Sequence, residues 1–322
     1  MRKTLLIAMT CLLAAVVPAQ GQSVYPNKPI RLVVPFSPGG STDALARLLA
    51  EELRAELGQP VIVENKAGAG GNIGGDIVAK AAPDGYTVLV AAAGPTVINP
   101  SLYSKMPYDP VKDLQPVTLL IQEPNLMAIN PKIPARTVAE FIAYAKSKPN
   151  EVSFGSPGNG SPAHLAGEWL NQLTGTTMVH VPYKGTGPAL NDLLGGQIAM
   201  MIDNMPALWP HVQSGKLRAL AVSTEKRAAA APDLPTIAES GVKGFAFGAW
   251  KGLMVPTATP GNIVDRLQVA CAKALAKPEF RERLITLGSE PVGSTPEEFA
   301  AVIKSETASW AALVKSTGTK LD

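Results

Sequence analysis

Two copies of one short phrase constrain what this chain can fold into more than any other feature of its sequence. A turn rich in glycine, serine and proline follows an apolar run at residues 36–43, and a similar turn follows another apolar run at residues 155–162. After each turn come a stretch with helical periodicity, a glycine, a Val-x-Val strand and a Lys-x-Gly or Lys-Gly pair. The repetition predicts two lobes of similar construction.

Each repeated turn has the chemistry of an anion site. A glycine-rich turn that opens a helix leaves backbone N–H groups unpaired and aligned with the positive end of the helix dipole. Glycine turns are usually only turns, so one copy alone would say little. A third correspondence, between residues 88–96 and 198–206, places another loop after a strand in each lobe. Ligands in open α/β sheets bind beyond the carboxyl ends of strands, so facing turns predict a cleft for a small acid.

The amino terminus is typical of a secretory signal peptide, which we place at residues 1–23. Arg2 and Lys3 precede a largely apolar run at residues 5–17, and small residues follow through Ala19 and Gly21. The alternative is a membrane anchor, but the run is shorter than the roughly 20 residues that a spanning helix needs. We therefore expect export to the periplasm and no membrane insertion after cleavage.

Removal of the signal peptide also affects which disulfides can form and what net charge the mature chain carries. Cys11 leaves with the signal, so Cys271 is alone and forms no intramolecular disulfide. Its apolar helical surroundings favour a core position over a nucleophile. The formal net charge is only +3, and two of the cations leave with the signal. This balance gives no reason to expect nucleic acid as a partner. We expect a monomer.

Strands that alternate with helices predict an α/β fold with a mainly parallel sheet. Leucines at helical spacing, including Leu45, Leu49 and Leu53, predict an amphipathic helix capped by Ser41, Thr42 or Asp43. The other predicted elements of the first lobe are strands at 30–35, 61–64 and 87–91, a glycine-rich turn at 68–75 and a helix from there to about residue 82. The second lobe is predicted to hold a helix at 138–147 and strands at 179–183, 198–202 and 217–222.

The chain is predicted to cross between the lobes twice. Strand-like runs at 117–121 and 126–129 flank Glu123 and Pro124, which mark the first crossing, and residues 247–255 form the return. Lobe 1 therefore spans 24–123 and 248–322, and lobe 2 spans 124–247. The remainder is predicted to be helical, with Thr295 capping a helix that Pro296 opens, and to cover lobe 1.

Other site chemistries fit the sequence poorly. The run Gly68 to Gly74 places Ile73 where a dinucleotide fingerprint needs its third glycine, so we expect no cofactor. His164 and Glu168 are four residues apart on a helix, but two ligands make a weak metal site, and we expect none. There is no Gly-x-Ser-x-Gly motif, and we assign no catalytic residue. Trp169 and Trp310 are expected in the core, while Trp209 and Trp250 are candidates to reach the cleft.

Several longer motifs resemble one family over nearly the whole mature chain. The chain is similar to the Bug-type substrate-binding proteins of tripartite tricarboxylate transporters in the segments 35–43, 63–74, 83–87, 183–185 and 235–241. The resemblance implies a type II-like periplasmic binding protein, with two lobes joined by crossing strands that close on a ligand. It also implies di- or tricarboxylate, acidic amino acid or aromatic acid ligands. Backbone amides, hydroxyls and waters would hold them, rather than arginine.

The same resemblance implies which residues bind the ligand. Asp43 is expected to cap its helix rather than touch an anion. Asp203 is expected to face the cleft and to set specificity by attracting an amine or hydroxyl and repelling a second acid group. The implied ligand-binding residues are Ser37, Gly39, Gly40, Ser41, Thr42, Asp43, Ala92, Thr96, Ser156, Gly158, Ser161, His164, Tyr183, Gly185 and Asp203.

The expected function is therefore a non-enzymatic receptor that delivers a small carboxylate to the membrane permease subunits of a tripartite transporter. One alternative is a periplasmic sensor that reports the ligand to a two-component kinase, since its fold and site would be the same. An exported hydrolase is the other alternative, motivated only by the closeness of His164 to Ser161.

Overall fold

The computed structural model describes residues 25–317, so the predicted signal peptide at 1–23 lies outside the described residues. The described part holds ten strands in one sheet. The strands are β1 (Ile30–Val34), β2 (Val61–Asn65), β3 (Thr87–Ala92), β4 (Leu114–Ile129), β5 (Ser153–Ser156), β6 (Val179–Pro182), β7 (Met200–Asn204), β8 (Arg218–Val222), β9 (Gly248–Pro256) and β10 (Glu290–Pro291). The α-helices are α1 (Ser41–Leu57), α2 (Asn72–Ala79), α3 (Asn99–Leu102), α4 (Val138–Ser147), α5 (Pro162–Thr174), α6 (Thr186–Gly195), α7 (Met205–Gln213), α8 (Gly261–Ala276), α9 (Pro278–Thr286) and α10 (Pro296–Thr317). Among these helices, none is long and apolar enough to span a bilayer.

The sheet consists of two halves, and each half combines three parallel strands with antiparallel pairing to a crossing strand. In the first half the order is β2-β1-β3-β9-β4, with β1 parallel to both of its neighbours and β9 antiparallel to β3 and β4. In the second half the order is β4-β7-β5-β6, with β5 parallel to both of its neighbours and β4 antiparallel to β7. The predicted α/β fold is confirmed, with parallel strands in the outer part of each half and antiparallel pairs along β4 and β9, so that the sheet as a whole is mixed.

One long strand, β4, belongs to both halves. Its residues 114–124 pair with β9, and its residues 125–129 pair with β7. The sequence suggested two short strands on either side of Glu123 and Pro124, whereas the structure has one strand of 16 residues that runs through both. The return crossing is β9, in which Gly248 pairs with Pro124. The crossing strands are therefore hydrogen-bonded partners.

Helices cover both faces of each half-sheet. In the first half, Leu45, Leu49 and Leu53 of α1 are buried in one core cluster with residues of α8 and α9, as their spacing predicted. Cys271 of α8 is fully buried in the same cluster. In the second half, α4 and α5 contribute to one cluster, and α6 and α7 contribute to the cluster on the opposite face.

Three sequence predictions about local structure were wrong. The predicted turn at residues 68–75 includes the first residues of α2, which ends at Ala79 rather than near residue 82. A Cβ at Gly74 would lie 2.7 Å from the backbone of Pro35, so this glycine lets α2 pack directly on the end of β1. The C-terminal remainder also contains a strand, β10, which pairs with β4. Finally, α1 begins after Gly40 and has no side-chain cap.

The last helix, α10, contacts the second half of the molecule as well as the first. Trp310 and Phe299 of α10 share a core cluster with Leu165 of α5, and the Trp310 ring packs edge-on against Phe247 with centroids 5.8 Å apart. The predicted capping of α10 is confirmed, because the amide of Glu298 donates to the Thr295 hydroxyl at 3.2 Å. Helix α10 thus bridges the two halves of the molecule.

Candidate functional site

The two repeated turns lie at edges of the half-sheets that face each other. Strands β3 and β4 are both antiparallel to β9 and therefore run in the same direction. Strand β4 is antiparallel to β7, and β7 is parallel to β5. The carboxyl ends of the parallel strands in one half consequently point toward those of the other half, and they meet at the middle of β4, near residues 123–125. The loops that follow these strands in the two halves therefore converge on the same part of β4.

The first turn presents backbone rather than side chains. Ser37 and the two following glycines, Gly39 and Gly40, are exposed between β1 and α1. Gly39 has a left-handed φ of 86°, which favours glycine. Gly40 is the N-cap residue, and because glycine has no side chain, the start of α1 has no side-chain cap. Amides of the first helical turn have no partner inside the helix, so those of Ser41 and Thr42 face this edge as donors.

Asp43 holds the first turn in place and uses its carboxylate to do so. It accepts hydrogen bonds from the amide of Gly39, the guanidinium of Arg47 and the amide group of Asn65, each at 3.0 Å. Burial raises the pKa of Asp43, but these three donors outweigh it and leave the pKa below its ordinary value. Asp43 thus positions the turn, and it also forms an ion pair with Arg47 of α1.

The second turn connects β5 to α5. Ser161 is the N-cap residue, and its hydroxyl accepts from the amide of His164 at 3.3 Å and donates to the carbonyl of Gly158 at 2.7 Å. Gly158 has a φ of 145°, and Gly160 has a φ of 73°. Pro162 opens the helix and His164 lies in its first turn.

Two histidines, His164 and His180, contact the residues of the second turn. The sequence analysis assigned no role to His180. Nδ1 of His164 accepts from the amide of Gly160 at 2.9 Å, and Nε2 of His180 lies 2.7 Å from the Ser156 hydroxyl. The two imidazoles are stacked with centroids 3.8 Å apart. Burial lowers the pKa of His164. Burial and the neighbouring His164 lower the pKa of His180 to about 4, so both rings are neutral at pH 7.

Tyr183 and Gly185 tie a third loop to the second turn. The amide of Gly185 donates to the carbonyl of Pro157 at 2.9 Å, and Gly185 has a φ of 122°. The Tyr183 hydroxyl donates to Asp192 at 2.6 Å. Burial raises the pKa of Tyr183 to about 12, and the hydrogen bond to the Asp192 carboxylate adds to this effect. The phenol therefore stays protonated and anchored outside the turn.

Asp203 lies in β7 rather than in the loop where the sequence analysis placed it. Its side chain accepts from the Thr186 hydroxyl at 2.9 Å and from the amide of Asn204 at 2.8 Å, and the residue is 5% exposed. Burial raises the pKa of Asp203 to about 6, although both hydrogen bonds oppose this effect. The carboxylate is thus turned toward α6.

The loop after β3 is helical. Thr96 is buried in a π turn over Gly94–Ile98, and Ala92 is half-buried at the end of β3. The cross-strand partner of Ala92 is Lys251. Lys251 forms a buried ion pair with Glu123 of β4, and Ser289 donates to the same carboxylate at 3.1 Å. Sequence analysis missed this pair, whose only signal is one charge of each sign in two crossing strands that are otherwise uncharged.

The tryptophan predictions had mixed outcomes. Trp250, a candidate for the cleft, is 1% exposed and donates to Glu306 at 2.7 Å, so it belongs to the core. Trp209 lines a separate open groove of about 560 Å³ on the second half. Trp310 is buried, and Trp169 stacks on Phe245 with centroids 4.8 Å apart.

Comparison with known proteins gives matches along nearly the whole chain. The family model described as "Tripartite tricarboxylate transporter family receptor" matches residues 45–319. Protein BugT of Bordetella pertussis (strain Tohama I) is 42% identical over 298 residues, which cover 92% of this chain and 91% of BugT. The solved structure of R. palustris Rpa4515 with adipate is 38% identical with a TM-score of 0.87, covering 92% of this chain and all of that one. The structure of MatC (Rpa3494) from Rhodopseudomonas palustris with bound malate is 36% identical with a TM-score of 0.82, covering 90% of this chain and all of that one.

Proposed function

Since the chain belongs to the tripartite tricarboxylate transporter family of receptors, we propose that it captures a small carboxylate in the cleft between its half-sheets and delivers it to membrane permease subunits. The fold is that of the family's periplasmic binding proteins. The ligand, the partner subunits and the periplasmic location are the parts of this function that we propose.

The observation that carries the proposal is the pair of helix-opening glycine turns on facing edges of the sheet. Each turn presents backbone amides at the start of a helix, where a carboxylate is stabilised by hydrogen bonds and by the helix dipole. Two cations close to these edges are already paired, Arg47 with Asp43 and Lys251 with Glu123. The ligand is therefore held mainly by neutral donors and by waters that bridge them.

The relatives support a carboxylate as the ligand. Rpa4515 was solved with adipate and MatC with malate, and both are dicarboxylates. We assign the first-turn contacts to Ser37, Gly39, Gly40, Ser41 and Thr42, with Ala92 and Thr96 beside them. The second half contributes Gly158, Ser161, His164, Tyr183 and Gly185, and the buried Ser156, Asp43 and Asp203 support the site from behind these residues.

We further propose that the two halves act as lobes that close on the ligand. Lobe 1 comprises 24–123 and 248–322, and lobe 2 comprises 124–247. The crossing strands β4 and β9 form the hinge between them. Closure is a shift between open and shut populations, so it is driven by the ligand's higher affinity for the shut state.

The alternative of an exported hydrolase is disfavoured by the side-chain geometry. Ser161 bonds the backbone of His164, and the ring of His164 accepts from Gly160 instead of activating Ser161. Ser156 does contact His180, but Ser156 is fully buried and a histidine with a pKa of about 4 is a weak base at neutral pH. Loss of ester turnover in Ser161→Ala would restore this alternative.

The sensor alternative differs only in the partner of the loaded receptor. Neighbouring genes for multi-span permeases would favour transport, whereas a neighbouring two-component kinase would favour sensing.

Thermal unfolding with a panel of organic acids tests the proposal directly. Mono-, di- and tricarboxylates, acidic amino acids and aromatic acids would each be added to the mature protein, with a neutral sugar and a cationic amino acid as controls. A ligand at 100 times its Kd should add about 2.7 kcal/mol to the unfolding free energy. Failure of every acid to raise the Tm would contradict the proposal.

A further inference from the structure

An asparagine on β4, where the carboxyl ends of the strands from both halves meet, has a donor that the fold does not use. Asn125 follows the crossing point of β4 and is 2% exposed. Its side-chain nitrogen, Nδ2, is buried and makes no hydrogen bond to any residue within 25–317. A buried amide donor without a partner costs free energy that a protein normally avoids. The exception at this position points to a function other than stability.

The backbone of Asn125 shows where its side chain lies relative to β7. Its amide donates to the Ser223 hydroxyl at 3.2 Å, and its carbonyl accepts from the amide of Ser223 at 2.9 Å. Both bonds point away from β7, so the pairing of Asn125 with Asn204 is of the non-hydrogen-bonded kind. In such a pair the two side chains lie on the same face of the sheet and close together.

The face that they share is the one that carries α5. Asp203 points to the opposite face, where it contacts Thr186 of α6. Side chains alternate along a strand, so Asn204 lies on the same face as Ile202, which packs in the cluster that includes Phe154 and residues of α5. Asn125 and Asn204 therefore lie beside the second turn, at the edge of the sheet that the first turn faces.

Asn204 is also available for binding. It is the N-cap residue of α7, yet its side chain makes no capping bond, and the residue is half-buried. A side-chain amide offers two N–H donors and a carbonyl acceptor without a net charge.

We propose that Asn125 and Asn204 bind the second acidic group of the ligand, so that this receptor selects dicarboxylates over monocarboxylates of the same length. The inference rests on the proposed function, in which the turns hold the first carboxylate. Two neutral amides next to the turns hydrogen-bond a distal carboxylate that a monocarboxylate lacks. The Asp203 carboxylate, which would repel it, points to the other face.

Matched pairs of acids test the inference by calorimetry. The probes are adipate and hexanoate, succinate and butyrate, and terephthalate and benzoate, applied to the mature protein and to Asn125→Leu and Asn204→Leu. Asn130→Leu is the control, because Asn130 is also buried near the end of β4 but bonds the carbonyl of Leu193, far from the cleft.

At least one dicarboxylate should bind the unchanged protein more tightly than its monocarboxylate partner. Asn125→Leu and Asn204→Leu should each reduce that ratio by about tenfold, the loss expected for one hydrogen bond to a charged group. Asn125→Leu should also keep or raise the Tm, since it removes an unpaired donor, whereas Asn130→Leu should lower the Tm and leave the ratio unchanged.

Two results would overturn the inference and leave the proposed function intact. One is tight binding of monocarboxylates and dicarboxylates alike by the unchanged protein, and the other is an unchanged ratio in both cleft variants. If no acid binds the unchanged protein, the inference and the proposed function both fail.

Discussion

At each helix-opening turn, single glycines determine how closely an anion can approach the backbone. Gly40 has an ordinary φ of −82°, and a Cβ there would meet nothing closer than the Ser37 carbonyl at 3.9 Å. The fold therefore tolerates a side chain at this position. What a side chain would obstruct is the exposed edge of the turn, where the ligand carboxylate is proposed to bind.

Gly40→Val should accordingly weaken ligand binding much more than it lowers stability. We expect at least a tenfold loss of affinity for the best ligand, because the branched side chain blocks the amides of the first turn of α1. Calorimetry gives the affinity, and thermal unfolding gives the stability. Gly261→Val is the control, since Gly261 also begins a helix and has open space at its Cβ. A loss of folding as large as the loss of binding would show that Gly40 is merely structural.

The sequence predicted the secondary-structure location of single residues well, but it predicted their side-chain contacts less well. His164 was expected on a helix after the second turn and is found in the first turn of α5, because the proline that opens this helix is a local signal. The role of His180 has no local signal, since it depends on a ring from α5 stacking on a strand neighbour. The unpaired Nδ2 of Asn125 likewise becomes visible only when the surroundings are known.

At the scale of elements, the stacked histidines couple the second turn to pH. The pKa of His180 is lowered to about 4 from 6.5, so as the pH falls the unfolded chain binds this proton first. The contribution of His180 to stability is therefore complete above pH 6.5 and is lost progressively between pH 6.5 and 4. Asp203 and Glu306 act in the opposite sense, because burial raises their pKa values to about 6 and about 7.

Replacing His180 should isolate its share of this pH dependence. His180→Gln should lose less Tm than the unchanged protein when the pH is lowered from 7 to 4.5. His211→Gln, which removes a histidine of α7 outside the stack, should follow the unchanged protein. NMR titration of the His180 ring provides the direct measurement. A ring that titrates near pH 6.5 would contradict the burial that we describe.

The crossing strands carry a second test, through the buried pair of Glu123 and Lys251. Removing one partner leaves a buried charge, so Glu123→Gln and Lys251→Met should each cost about 3–5 kcal/mol of unfolding free energy. The double variant should cost much less than the sum of the two. Urea unfolding of the four proteins completes the cycle. Additive losses, or single losses below about 1 kcal/mol, would show that the pair is not coupled.

The sequence predicted most elements of this fold because helix and strand periods differ clearly in an α/β chain. It missed β10, which is only two residues long and exists because it pairs with β4. It also divided β4 into two, since Glu123 and Pro124 interrupt the apolar pattern. Pairing with β9 on one side and β7 on the other keeps this strand continuous, and that support comes from residues far away in the chain.

At the scale of the whole molecule, the proposed function requires closure about the crossing strands. Small-angle scattering should show a smaller radius of gyration in the presence of a stabilising acid than in its absence. Gly40→Val, at an acid concentration near the Kd of the unchanged protein, should keep a larger radius, because its weaker affinity leaves most of the variant without ligand. An unchanged radius in the loaded protein would contradict closure, even if binding itself were confirmed.

The strand order also dictates which half is contiguous in the chain. Strand β9 lies between β3 and β4 in the first half-sheet, although it follows every strand of the second half in the sequence. Residues 124–247 can thus pair all of their strands with one another, while the flanking half lacks a central strand until residues 248–256 enter it. We therefore expect the inserted half to fold first and the flanking half to follow.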